Sequence, residues 1–399
     1  MHEYIENFKK LGFGLFVHFG IYSVQGKGEW YKYIYSVPDA EYEKLADKFY
    51  VKKDWAKRLV RLAKQAGCKY ITLTARHHDG FSLYDTCGLN DYDAPHSKAG
   101  RDLIKEFVDA CHEFDILPMF YHTLLDWREK SYCDNFEKYI DYLVKSIEIL
   151  CVRYGKIGGF WFDGMWDKKD VDWQEDRIYG TIRKYQPTAM IINNTGLSEL
   201  GKVGHREIDS VTFERGKPTR FVDNSDRPRA GEMCQVINDH WGFAKNDINY
   251  KSIPELIGDL IDCRKYGCNF LLNIGLTGKG EVKMLDRCML QEIGRWIEIN
   301  KGFIYEATIS DFNVENGDVL KGENCYYVVA RNVNMVANPN VTLQGETAWL
   351  NTPRKIKKAI WLDDCSAVEL CADGYGLVIQ PFEYGASYIN RVARVEFYE

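Results

Sequence analysis

Residues 135–163 read NFEKYIDYLVKSIEILCVRYGKIGGFWFD, and they hold a helix and then a strand. Phe136, Tyr139, Ile140, Leu143, Val144, Ile147, Leu150 and Cys151 recur with the 3.6-residue period, so the spacing predicts an amphipathic helix over 135–151. The short apolar run at 159–162 reads as a strand, and it ends on Asp163.

The same alternation extends in both directions. Upstream, strands are expected at 13–17, 70–74 and 117–121, with helices at 54–66 and 101–114 between them. On the first helix Trp55, Leu59, Leu62, Ala63 and Ala66 share a face, and Gly67 ends it. Downstream come a helix at 175–185, a strand at 189–192, a weaker strand at 210–213 and a strand at 270–274. Ser252-Ile253-Pro254-Glu255 is a capping box that opens a further helix to about 266, and a closing helix runs over 285–300. Roughly six or seven β-then-α units imply a parallel sheet, and a (β/α)8-like barrel over 1–304 fits better than an open sheet. No strand is followed by G-x-G-x-x-G or a P-loop. From 305 to 399 the pattern changes to short strands, at 325–331, 341–343, 358–362, 376–380 and 392–397. Turn residues lie nearby, which reads as a C-terminal antiparallel β-sandwich domain.

Composition narrows the function. Of 399 residues, 45% are hydrophobic and 28% charged, which is globular rather than disordered. A net charge of −6 argues against a nucleic-acid footprint or a polybasic membrane anchor. Aromatic residues reach 14%; they suit stacking on sugar-like faces, and equally a large aromatic core. Twelve cysteines are scattered with no C-x-x-C, so no zinc site is expected. Met1-His2-Glu3-Tyr4-Ile5-Glu6 lacks a signal-peptide pattern, and no apolar run is long enough to span a bilayer. The expectation is a cytoplasmic protein with reduced thiols, without cofactor, membrane or nucleic-acid partner; homo-oligomer formation is left open. Glycosylation patterns at Asn193 and Asn340 would matter only in a secreted chain.

In a parallel barrel the reactive groups gather at the C-terminal strand ends. Here those positions carry His18, with Glu29 and Trp30 in the next loop; Arg76-His77-His78-Asp79; Tyr121-His122, with Asp126-Trp127 beyond; Asp163; Asn193-Asn194; Glu214; and Asn273. Asp163, between Phe162 and Gly164 with Trp161 and Trp166 near, is a carboxylate in apolar company, which marks a functional candidate. Each of the others has a bland reading. His18 alone is more often structural, Glu214 could pair with Arg215 or Lys217, and each tryptophan could be core. His77, His78 and Asp79 could hold a metal, but H-E-x-x-H and H-x-H spacings are lacking. Two carboxylates with aromatic walls and histidines suggest glycoside hydrolysis.

Several uncommon motifs then recur in one order: Phe13-Gly14-Leu15-Phe16-Val17-His18-Phe19-Gly20, Gly28-Glu29-Trp30-Tyr31, Thr74-Ala75-Arg76-His77-His78-Asp79-Gly80, Trp161-Phe162-Asp163-Gly164, Asn238-Asp239-His240-Trp241-Gly242 and Asn269-Phe270-Leu271-Leu272-Asn273-Ile274-Gly275. Over about residues 8–300 the chain resembles the α-L-fucosidases of glycoside hydrolase family 29. That resemblance implies a retaining exo-hydrolase releasing terminal α-L-fucose from oligosaccharides or glycoconjugates, with Asp163 as nucleophile. It implies a fucose-binding shell of His18, Glu29, Trp30, His77 and His78, further pocket positions at Tyr121 and Trp161, and an apolar wall for the C6 methyl at Trp241.

Two departures accompany the resemblance. Many members carry an arginine that approaches the nucleophile, where this chain has Thr195. The acid/base is variable in the family; Glu214 aligns best, with Asp209, Asp223, Asp226 and Glu232 as rivals. The alternatives are a fucose-binding protein that has lost catalysis, a hydrolase of a related sugar such as an α-L-galactoside, and a metal hydrolase built on His77, His78 and Asp79. Loops 24–27 and 216–229 are where aglycone selectivity is expected.

Overall fold

The structure is a computed structural model that describes residues 2–221, 227–334, 345–382 and 390–398. Eight parallel strands close into a barrel in chain order: β1 Phe13–His18, β2 Tyr70–Arg76, β3 Leu117–Thr123, β4 Gly159–Asp163, β5 Met190–Asn193, β6 Ser210–Thr212, β7 Ala230–Val236 and β8 Asn269–Gly275. β1 pairs with both β2 and β8, which shuts the ring. Helices Trp55–Gln65, Leu103–Glu113, Phe136–Arg153 and Glu175–Tyr185 follow the first four strands; Ile253–Lys265 and Met284–Ile299 follow β7 and β8. Asp102, Asn135 and Ser252 cap three of these helices, each side-chain oxygen accepting from the backbone N–H three residues on. Such a cap contributes about 1 kcal/mol. The periodic stripe of Phe136–Arg153 is buried at Tyr139, Ile140, Leu143, Ile147, Leu150 and Cys151, while Phe136 and Val144 are half-buried.

Two points differ from the sequence expectation. β7 has no counterpart among the expected strands, because AGEMCQV carries Gly231 and Glu232 inside an otherwise apolar run. Among the described residues no α-helix lies between β5 and β6 or between β6 and β7, only the 3-10 turn Leu197–Glu199.

Strand pleating sorts the barrel residues. Phe16, Tyr70, Met119, Tyr121, Trp161, Met190, Ile192, Ala230, Cys234 and Leu271 form the interior cluster, joined by Ile5 and Phe8 of the N-terminal helix Glu3–Lys9. Large apolar side chains buried this way contribute about 1.5–3 kcal/mol each. The same parity carries the next inward residues to the top: His18 above Phe16, Thr123 above Tyr121, Asp163 above Trp161, Asn194 above Ile192.

By contacts the chain divides into two compact units, Met1–Lys251 with Asn269–Gln291, and Ser252–Cys268 with Glu292–Glu399. The units interleave in sequence rather than meeting at one residue. The second holds two antiparallel sheets. One runs Ile356–Trp361, Arg391–Phe397, Tyr326–Ala330, Asp318–Lys321, Thr308–Ile309, and the other Ala348–Asn351, Gly376–Ile379, Glu369–Leu370. Val328, Ala359, Trp361 and Val395 from the first sheet and Leu350, Leu377 and Ile379 from the second belong to one apolar cluster. The expected strand at 341–343 lies outside the described residues. Among those residues, no helix is long and apolar enough to cross a membrane.

Candidate active site

A pocket of about 480 Å³ opens at the C-terminal ends of the barrel strands. Phe16, His18, Trp30, His77, His78, Tyr121, Trp161, Asp163, Trp166, Asn194, Thr195, Glu214 and Trp241 line it, with Lys169, Gly196, Leu197 and Ser198. Nine of the ten residues singled out for catalysis or substrate binding are therefore brought together.

Asp163 sits at the end of β4 and accepts from three sides. Tyr121 OH donates to Oδ2 at 3.0 Å, and Trp166 Nε1 and Asn194 Nδ2 donate to Oδ1 at 3.0 and 3.2 Å. His78 Nε2 is 3.5 Å from Oδ2. Burial opposes ionisation of Asp163. The hydrogen bond and charge of His78, with Trp166 and Tyr121, outweigh it and hold the carboxyl below its ordinary range.

Glu214 has the opposite environment. Burial and the nearby Asp163 charge push it up to about 7, against the opposing pull of Asn194 and Arg215. Asn194 Nδ2 donates to its Oε2 at 2.7 Å. Two carboxyls in one pocket are thus driven apart, one towards the ionised and one towards the protonated form.

The histidines are oriented by groups behind them. Asn273 Nδ2 donates to Trp241 O at 2.7 Å, so its Oδ1 is the acceptor 2.6 Å from His18 Nδ1. His18 is then a donor at Nδ1 and, with burial pulling its pKa down to about 3, an acceptor at Nε2. Thr123 Oγ1 donates its hydrogen to Leu125 O at 2.5 Å, so His78 Nδ1 donates to Thr123 at 2.7 Å. His77 stacks on Tyr121 at 5.4 Å, and burial holds it well below the ordinary imidazole range.

The Alpha-L-fucosidase family profile matches residues 1–302. The chain belongs to the alpha-L-fucosidase family. It is a glycoside hydrolase by that membership. Alpha-L-fucosidase from Dictyostelium discoideum is 25% identical over 342 residues, which cover 76% of this chain and 71% of the relative. Alpha-L-fucosidase isoenzyme 1 from Paenibacillus thiaminolyticus superposes with a TM-score of 0.85 at 28% identity, over 100% of this chain and 99% of that one. The fold is also shared with a Bacteroides thetaiotaomicron alpha-L-fucosidase solved as a trapped covalent intermediate. There the TM-score is 0.81 at 22% identity, over 100% of this chain and 97% of that one.

Glu29 is buried but does not line the pocket; its Oε2 accepts from Gly242 N at 2.6 Å, next to Trp241. Asp209 is buried away from the pocket, paired with Arg183 and Arg227 and accepting from Tyr4 OH and Ile191 N. Glu232 lies inside the barrel, where Tyr70 OH and Trp161 Nε1 donate to it at 2.5 and 2.9 Å. Asp223 and Asp226 lie outside the described residues. Asp79 accepts from Tyr42 OH and Phe81 N, and among the described residues no three His, Cys, Asp or Glu side chains cluster to hold a metal.

Asn194 is among the strand-end polar groups and Trp166 among the neighbours of Asp163 in the sequence, but neither has a role assigned there. The signal for Asn194 was available in strand parity: Asn193 turns outward and donates to Tyr179 OH, so Asn194 turns inward. Trp166 reaches Asp163 through the turn Met165–Asp167, which Gly164 enters at φ +96°. A Cβ on Gly164 would stand 2.9 Å from Leu125 Cβ and 3.0 Å from its nitrogen. Thr195 lines the pocket, with its hydroxyl donating to Glu199 O at 3.1 Å. Residues 194–198 and Lys169 line the pocket, whereas 24–27 and the described part of 216–229 do not.

Proposed function

We propose that this protein is a retaining, exo-acting α-L-fucosidase in which Asp163 is the nucleophile and Glu214 the acid/base. One observation carries the retaining part. Asn194 Nδ2 hydrogen-bonds both carboxyls, so Asp163 Oδ1 and Glu214 Oε2 lie within about 6 Å of each other. Retaining enzymes hold their carboxyls about 5–5.5 Å apart, whereas inverting ones leave about 6.5–9.5 Å for a water.

Asp163 attacks the anomeric carbon while the bond to the aglycone oxygen breaks. That oxygen takes the Glu214 proton and leaves, and a fucosyl ester remains on Asp163. Water then gives its proton to Glu214 while its oxygen forms the new bond to the anomeric carbon, and the ester bond breaks to free Asp163. The trapped covalent intermediate of the Bacteroides enzyme supports this course.

His18, His77 and His78 bind the sugar hydroxyls, with His18 accepting a hydroxyl hydrogen bond at Nε2. Phe16, Trp161 and Trp241 give the pocket an apolar side, Phe16 being 5.1 Å from Trp161 and 5.9 Å from Trp241. That side suits the C6 methyl of fucose and disfavours the hydroxymethyl of an α-L-galactoside. Thr195 does not leave Asp163 short of a donor, because Asn194 and Trp166 supply two. The expected cytoplasmic setting belongs to the same reading, and the twelve free thiols suit a reducing compartment.

The test is hydrolysis of 4-nitrophenyl α-L-fucoside by wild type and Asp163→Ala, with NMR of the first-formed anomer and the α-L-galactoside alongside. The expected result is α-fucose, loss of turnover in the variant, and a slower galactoside. First-formed β-fucose, or an active Asp163→Ala, would overturn the assignment.

A further inference from the structure

The aromatic wall of the pocket does not stop at its rim. Trp30 and Trp166, both lining the pocket, lie nearly parallel with centroids 6.1 Å apart. Trp127 meets Trp30 edge-on at 5.2 Å. Tyr33 stacks on Trp127 at 5.3 Å and also meets Trp30 edge-on at 5.6 Å. Four rings thus run from the fucose pocket to the surface without interruption.

The outer end is open. Tyr33 is 62% exposed, and Ile34 and Tyr35 beside it are 67% and 69% exposed. Three large apolar side chains in a row, at the end of the one-turn helix Tyr31–Ile34, are costly in water unless something covers them. An exo-hydrolase holds its terminal sugar inside the pocket and must leave the rest of the saccharide outside, at the rim. The exposed rings lie next to that rim. A pyranose presents flat C–H faces that pack on a π-face, and its equatorial hydroxyls can reach the phenol at the ring edge.

We propose that Tyr33, with Trp127 and Trp30 behind it, is a stacking platform for pyranose rings of the saccharide that carries the fucose. The inference rests on the fucosidase reading and deepens it. The substrate class is a fucosylated oligosaccharide, with neutral sugar rings beyond the fucose, rather than a simple fucoside.

The test compares kcat/KM of wild type and Tyr33→Ala on 4-nitrophenyl α-L-fucoside and on 2′-fucosyllactose. The aryl fucoside is expected to be unaffected. Fucosyllactose is expected to lose about fivefold to tenfold, mainly through KM, as the loss of one stacking contact requires. Tyr33→Trp should restore it. An equal loss on both substrates, or no loss on fucosyllactose, overturns the platform. If wild type cleaves neither compound, it is the fucosidase reading that fails. Quenching of tryptophan fluorescence by lactose, expected in wild type and weakened in Tyr33→Ala, then reads the platform without turnover; quenching that is equal in both, or absent in wild type, overturns it. Sedimentation showing a wild-type dimer that Tyr33→Ala dissociates would assign the patch to a second copy and overturn the proposal as well.

Discussion

Asn194 holds Glu214: its Nδ2 donates to Glu214 Oε2 at 2.7 Å while standing 3.2 Å from Asp163 Oδ1. One short amide therefore sets the spacing of both carboxyls and favours the charged form of Glu214. Asn194→Ala removes both effects. We expect kcat/KM to fall about tenfold to a hundredfold, as loss of a positioning contact does. The alkaline limb of the pH profile should move up, because Glu214 then keeps its proton to higher pH. A limb that moves down, or an unaltered rate, would contradict the bridge.

The carboxyl environments fix the shape of the pH profile itself. Glu214 must carry a proton to act as acid, and it is pushed up to about 7, so kcat/KM should decline as pH rises through about 7. Asp163 must be ionised and is held below its usual range, so the acid limb should lie below the ordinary aspartate region. Glu214→Gln should lose about 100-fold or more on fucosyllactose and far less on a dinitrophenyl fucoside, whose leaving group needs no proton. Equal losses on both would remove Glu214 from the acid role.

Glu232 is also pushed up to about 7, by burial in the barrel, and this bears on stability rather than turnover. Its unfolded value is near 4.5. Below that pH both states are protonated and folding gains or loses nothing from it. Between about 4.5 and 7 the unfolded chain ionises first, so stability declines with rising pH and then levels off. At about 1.4 kcal/mol per pH unit the loss is about 3 kcal/mol. Glu232→Gln should therefore gain stability relative to wild type at pH 8 and not at pH 4, measured by urea denaturation, while its alkaline rate limb remains. A stability difference that is the same at both pH values would refute the linkage.

Gly275 ends β8 against the loop that carries Trp241. A Cβ there would run into the Phe243 backbone nitrogen and stand 2.6 Å from Gly242 C. Backbone cannot yield as a side-chain tip can, so Gly275→Ala should displace Trp241 from beside His18. We expect KM for the nitrophenyl fucoside to rise about tenfold or more, with a lowered melting temperature. An unchanged KM would show that the loop accommodates the methyl without moving Trp241.

Much of this protein is legible in one dimension. Helical period and strand runs reveal the alternation that makes a barrel, because burying one helix face and a fully covered strand demands those patterns locally. The strand-end rule then picks out His18, His77, His78, Asp163 and Glu214, since a parallel barrel exposes its strand C-termini together. β7 escaped because Gly231 and Glu232 interrupt its apolar run, and the reason for a buried glutamate there lies in Tyr70 and Trp161, far off in sequence.

Which polar groups meet is settled by the closed fold. Asp209, Glu214 and Glu232 are alike as letters; paired arginines bury the first, two donors inside the barrel hold the third, and only Glu214 reaches the pocket. Glu29 and Asn194 differ for the same reason: Glu29 accepts from the Gly242 N–H, and Asn194 bridges the two carboxyls. Hydrogen-bond partners and desolvation are set by through-space neighbours, and here those neighbours come from different strands and loops of the barrel. The barrel and the chemical kinds of group at its mouth follow from local residue pattern; which of those groups face one another, and in which state of charge, follows from contacts made only when the barrel closes.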